Sequence, residues 1–128
     1  MGHPRGDRRL SASFGHAFAG IVHAVRSQRN LRIHLAISAG VIALGLWLGL
    51  SCIEWAVLVA TMALVLLAEM FNTVAETTVD LATQEYHALA RAAKDVAAGA
   101  VLVGAILAVI IGLLILGPPL WERLSSWF

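Results

Sequence analysis

Four oxygen-bearing side chains interrupt an apolar run: Glu69, Asn72, Glu76 and Asp80, within "LLAEMFNTVAETTVDL" at residues 66–81. At 100° per residue they fall at about 0°, −60°, −20° and +20° around a helix, a single stripe about 80° wide. A carboxylate at mid-bilayer costs roughly 2.5–3.5 kcal/mol on insertion scales, and less near the interface. The stripe must therefore face a bundle interior or a wet cleft. A solvated extension of the helix accounts for Asp80 and in part for Glu76. It does not account for Glu69, which directly follows fourteen uncharged residues. A second polar cluster, "QEYHALARAAKD" at residues 84–95, brings Glu85, Tyr86, His87, Lys94 and Asp95 to the same end of the helix. Together the two clusters supply acids, an amide and a lysine, without paired cysteines or histidines at metal-ligand spacing. Hard oxygen ligands suit Mg²⁺, which commonly binds one or two carboxylates plus phosphate oxygens. Phosphoryl transfer asks for positioning, a divalent metal, charge stabilisation and one base, and this inventory meets that need. The GxxxxGK[ST] phosphate loop is absent, as are the VAIK, HRD and DFG signatures.

The elements that must position these groups are helices in a membrane. Of 128 residues, 59% are hydrophobic and the mean hydropathy is +0.82, beyond the range of ordinary soluble domains. Three apolar stretches are legible: Ile33 to Leu50, a run that opens at Trp55, and Val96 to Gly117. A spanning helix needs roughly 20 residues, so the second reaches that length only by continuing through Glu69. Before the first span, Leu10, Phe14, Ala17, Phe18, Ile21, Val22 and Val25 form one helical stripe, with His16 and His23 opposite. This pattern predicts an interfacial helix lying on the bilayer. His16 and His23 have no third ligand in view, so solvent-facing histidines are expected rather than zinc. The expected organisation is one domain over 1–128, with an arm at 1–32, three spans within 33–117 and an outer tail at 118–128. No secretory signal and no nucleic-acid partner are expected. The single cysteine, Cys52, excludes an internal disulfide.

Charge orients these elements. Eight Lys or Arg residues (Arg5, Arg8, Arg9, Arg26, Arg29, Arg32, Arg91 and Lys94) flank one side of the spans, and Arg123 alone lies on the other. The positive-inside rule then places the N-terminus in the cytoplasm, the C-terminus outside and the acidic stripe at the cytoplasmic end of span two. "SCIE" at Ser51–Glu54 reads as a capping box, "GLWLG" at Gly45–Gly49 as a close-packing motif, and "GPP" at Gly117–Pro119 as the end of the third helix.

"AEMFNTVAETTVDL" resembles the E-x-x-N-[TS]-x-x-E-x-x-x-D signature of the prokaryotic diacylglycerol kinase family, which includes undecaprenol kinases. "EYHALARAAKDVAAGAVL" is similar to that family's second block, and "RNLRIHL" to its first-span entry. The resemblance covers roughly residues 9 to 116. It implies an all-α membrane protein, a homotrimer whose subunits each carry an interfacial helix and three spans. The implied activity is an ATP- and Mg²⁺-dependent lipid kinase of the bacterial plasma membrane, acting on diacylglycerol or a polyprenol such as undecaprenol. By the same resemblance Glu69 is the catalytic base, Asn72 supports it, Glu76 holds the metal and Asp80 is a supporting acid. Arg9, Glu76, Glu85, Tyr86, His87, Lys94 and Asp95 match ATP-contacting positions. One position departs: Gln28 stands where the family usually has a metal-binding glutamate. That departure motivates an alternative, a catalytically impaired member. A second alternative is a small proton-coupled transporter, which would use a membrane glutamate but has no need of the "EYH" and "KD" groups at one face.

Overall fold

A computed structural model describes residues 10–127, and each helix in it starts and stops at an identifiable chemical signal. The first helix, α1 (Leu10–Ser27), carries its large apolar residues outward, with Phe14 and Phe18 74% and 69% exposed and only Ala24 buried. Its C-terminal carbonyls are met by a side chain from the next helix. Arg32 Nη1 donates to Val25 O at 3.2 Å and to Arg26 O at 2.9 Å, satisfying acceptors that a helix end leaves open. The chain turns at Gln28 alone, in extended conformation at φ −103° and ψ 116°.

The second helix, α2 (Arg29–Leu48), stops where Gly49 adopts φ 73° and ψ 47° and its N–H returns to Gly45 O at 3.0 Å. A left-handed residue at this point is a role for glycine. The capping box is present as the sequence predicts: Ser51 N–H and Oγ–H both donate to Glu54 Oε2 at 2.7 Å, while Glu54 N–H donates to Ser51 Oγ. It opens α3 (Cys52–Ala82), which runs unbroken through the whole acidic stripe. His87 then caps α4 (Ala88–Ser125), its Nδ1 accepting Leu89 N–H at 3.2 Å.

Two expectations are corrected. The "GPP" segment does not end the third spanning helix, because α4 continues through Pro118 and Pro119 to Ser125. Two prolines remove two N–H donors and free the Leu114 and Ile115 carbonyls, a defect that membrane helices tolerate when neighbours compensate. The extra turns are anchored at their end: Arg123 Nη2 donates to Trp47 O at 2.8 Å and its guanidinium lies 5.2 Å from the Trp47 ring. The "GLWLG" motif also divides its labour. Gly45 makes the close contact, whereas Gly49 is the helix stop.

α2, α3 and α4 are each long and apolar enough to cross a membrane. At 1.5 Å per residue, the 20 residues of α2 extend about 30 Å, matching a hydrocarbon core, while the 31 of α3 and 38 of α4 reach about 46 and 57 Å. The latter two therefore project beyond the bilayer and pack against each other antiparallel. Their register is fixed by Val65 Cγ2, 3.9 Å from where a Gly104 Cβ would stand, and by an ion pair between Asp80 and Lys94. The buried face of α3 is Leu58, Val65, Glu69 and Asn72, so the acidic stripe and the packing seam are one. α2 joins through Gly45, where an added Cβ would fall 2.9 Å from Trp55 Cη2.

Gly45→Val should accordingly lower the folding stability by about 1–3 kcal/mol, since it forces an indole out of place. Thermal unfolding in detergent, with Gly40→Val as a partner having open space around its Cβ, measures the difference.

Candidate functional site

The stripe runs from buried to wet along α3. Glu69 is 2% exposed and Asn72 8%, Glu76 is half-buried and Asp80 is exposed. Taking 1.5 Å per residue from the start of α3, Glu69 lies about 26 Å along the helix and Asp80 about 42 Å. Counted from that end, a hydrocarbon core about 30 Å thick would end between Glu69 and Glu76. Between the register points on α4, Ala97 and Val101 fall at helical spacing from Lys94 and Gly104.

Asn72 and Glu76 form the centre of the stripe. Asn72 Nδ2 donates to Glu76 Oε1 at 3.2 Å. Asn72 Oδ1 is buried and, among the described residues, nothing donates to it. Turning the amide over would set its oxygen against a carboxylate oxygen, so this orientation is the one electrostatics favours. A buried oxygen without a donor requires a partner, and it stands one helical turn from a carboxylate. Two hard oxygens in that relation fit a divalent cation such as Mg²⁺. Among the described residues no group of three or more His, Cys, Asp or Glu is assembled.

The second cluster folds back onto the first at the wet end. Asp80, Glu85, Tyr86, His87, Arg91 and Lys94 line one groove of about 600 Å³. Thr83 shapes its connection: its Oγ1 accepts Glu85 N–H at 3.2 Å. Lys94 donates to Asp80 across fourteen residues of sequence. The structure thus brings together Asp80, Glu85, Tyr86, His87 and Lys94, with Glu76 one turn deeper than Asp80. Asp95 stands apart, exposed and paired with Arg91 at 3.7 Å. Arg9 lies outside the described residues. Gln28 is half-buried at the α1–α2 turn, where its side chain makes no cap hydrogen bond. It stands at the junction directly after α1.

Arg91 is a groove residue that the sequence reading counted for orientation but did not assign to the site. Its spacing was the available signal, one turn before Lys94 and four residues from Asp95. Thr73 and Thr77 were also unassigned. Their hydroxyls donate to Glu69 O at 3.0 Å and Thr73 O at 2.8 Å, serving the helix that carries the stripe.

A family model described as prokaryotic diacylglycerol kinase matches residues 15–116. A protein named diacylglycerol kinase from Synechocystis sp. is 49% identical over 112 residues, covering 87% of this chain and 64% of that protein. One named undecaprenol kinase from Bacillus subtilis is 45% identical over 112 residues, covering 88% and 91%. A diacylglycerol kinase of Escherichia coli strain K12 is 30% identical over 105 residues, covering 82% and 86%. The chain therefore spans less than two thirds of the Synechocystis protein's length but most of the other two.

Asn72→Asp should place a second carboxylate against Glu76. The expected loss is about 1–3 kcal/mol of stability in chelator, from like charges one turn apart in a half-buried seam. Millimolar Mg²⁺ should restore much of it, whereas Na⁺ at equal ionic strength should not. Thermal unfolding of both proteins with each salt checks the fit to a cation.

Proposed function

The chain belongs to the prokaryotic diacylglycerol kinase family, and on that premise we propose that it is a lipid kinase that transfers the γ-phosphoryl group of ATP to the hydroxyl of a membrane lipid, diacylglycerol or a polyprenol such as undecaprenol. The observation that carries this reading is the gradient along α3. It runs from a buried carboxylate to a wet, charged groove at the end of the same helix, which supports a place for Glu69 just inside the bilayer edge. A lipid hydroxyl arrives from the membrane and a triphosphate from water, and this is where they can meet.

In this mechanism Glu69 accepts the proton of the lipid hydroxyl. The freed oxygen pair forms a bond to the γ-phosphorus, the bond to the β-phosphate bridging oxygen breaks, and ADP leaves. Asn72 orients Glu76 by its amide N–H. Glu76 and the Asn72 oxygen would hold Mg²⁺, which when bound offsets negative charge on the phosphates. Lys94 exchanges its Asp80 partner for phosphate oxygen, with Arg9, Glu85, Tyr86, His87 and Asp95 as further ATP contacts. Gln28 offers an amide in place of the usual acid, so the site carries one negative charge fewer. A proton-coupled transporter would place its acid near mid-span, and Glu69 lies close to one edge.

The rest of the proposal concerns the setting. α1 lies on the cytoplasmic surface with Leu10, Phe14 and Phe18 in the lipid, an arrangement supported by their exposure. The N-terminus is cytoplasmic and the C-terminus outside, as the eight-to-one division of basic residues favours. The protein works as a homotrimer of the bacterial inner membrane.

Glu69→Gln should lower turnover by about 10²–10⁴-fold while preserving assembly, as expected for a lost general base. Glu54→Gln, in the capping box on the opposite side, should keep activity near the starting value. Labelled ATP with diacylglycerol or undecaprenol as acceptor gives the rates. Near-normal transfer by Glu69→Gln would remove it as the base.

Lys94→Met should raise KM for ATP by about 10–100-fold, the worth of a charge-assisted hydrogen bond to phosphate. KM for the lipid should stay unchanged. An unaltered KM for ATP with unaltered kcat would leave Lys94 only its pair with Asp80.

A further inference from the structure

The groove at the wet end of the stripe is not lined by all the groups that the sequence assigns to it. Asp95 is absent from its lining, whereas Arg91 is part of it. Helical geometry accounts for the exchange. Measured around α4 from Lys94, Ala90 falls at about −40° and Arg91 at about +60°, both on the groove face, and Asp95 at about +100°, past its edge. Arg91 thus stands between the groove and Asp95. The contact between these two is loose. Arg91 Nε lies 3.7 Å from Asp95 Oδ2, beyond hydrogen-bond reach, with both side chains mostly exposed. Such an exposed pair contributes little to the stability of a helix. It can still orient a side chain. A guanidinium carries five N–H donors in a fixed fork, so a carboxylate on one side leaves donors free on the other.

Charge gives Arg91 a reason to be there. Asp80 and Glu85 place two carboxylates in the lining against two cations, Lys94 and Arg91. Lys94 is already paired with Asp80. Without Arg91, and with His87 neutral, the lining would carry two negative charges and one positive, a surface that repels a polyphosphate. Depth decides which phosphates it would meet. Arg91 lies three residues, about 4.5 Å, farther from the buried end of the stripe than Lys94. A triphosphate with its γ-phosphorus directed at Glu69 and Glu76 extends its β- and α-phosphates outward, past Lys94 to Arg91.

We propose that Arg91 binds the α- and β-phosphates of the nucleotide, and that Asp95 is a positioning residue that holds the guanidinium toward the groove. The inference rests on the nucleotide reading of this groove. It adds a direction, with the γ-phosphate innermost, and it makes the contribution of Asp95 pass through Arg91.

The test uses the full-length protein in nanodiscs with Mg²⁺ and no lipid acceptor, titrated calorimetrically with ADP and with inorganic triphosphate. Arg91→Met should weaken both about tenfold, as expected for one solvent-screened, charge-assisted contact. It should raise KM for ATP by the same factor and leave kcat and KM for the lipid unchanged. Arg91→Lys, which keeps the charge but not the fork, should lose only about threefold. Asp95→Asn should lose about threefold alone and nothing further in the Arg91→Met background, the non-additivity of two residues acting as one. Thermal unfolding should be the same for all variants. Unchanged ADP affinity in Arg91→Met overturns the proposal. So does a loss for ADP without a loss for triphosphate, which would put Arg91 on the base. Independent, multiplying losses in the double variant would make Asp95 a contact of its own and overturn its positioning role. Binding is read without turnover. Failure of transfer to every lipid would therefore remove the kinase reading while the titrations still decide Arg91.

Discussion

A carboxylate cannot be left bare in hydrocarbon, and that constraint governs how α3 is placed and what packs against it. Burying Glu69 in a seam between two helices of the same chain avoids exposure to lipid tails. It also requires close approach by α4, which Gly104 permits, with Val65 Cγ2 3.9 Å from where its Cβ would stand. The antiparallel register follows, because the same pairing that closes over Glu69 brings Lys94 beside Asp80. Apolar burial is slight, with five buried hydrophobic residues among the described residues. The polar seam is therefore a large share of what distinguishes one helix pairing from another.

The face of α3 could be read from the sequence because helical periodicity is strict and the charges are few. The angular positions of Glu69, Asn72, Glu76 and Asp80 needed only 100° per residue. The fourteen uncharged residues before Glu69 gave its depth. The capping box was legible for the same local reason, since Ser51 and Glu54 find each other within one turn. Contacts between distant residues were not accessible in this way. The Lys94–Asp80 pair depends on the register of two helices, and the order of residues along each does not specify it.

The prolines show where local rules fail. Pro118 and Pro119 would stop a helix in isolation, because they remove donors and crowd the preceding turn. In the folded chain, Arg123 reaches a carbonyl and an aromatic ring seventy-six residues earlier, and the last turns hold. A rule built on nearest neighbours cannot include that contact. Gln28 marks another limit: its place after the apolar stripe was legible, but a one-residue break changes the direction of everything that follows it.

That break has a mechanical side. Only Gln28 separates α1 from α2, and Arg32 spans the gap to hold two carbonyls of α1. A joint one residue long, braced across its inside corner, restricts the angle between α1 and α2. In the proposed setting, with α1 on the bilayer, the brace would pass a force on that arm to α2, the post it meets.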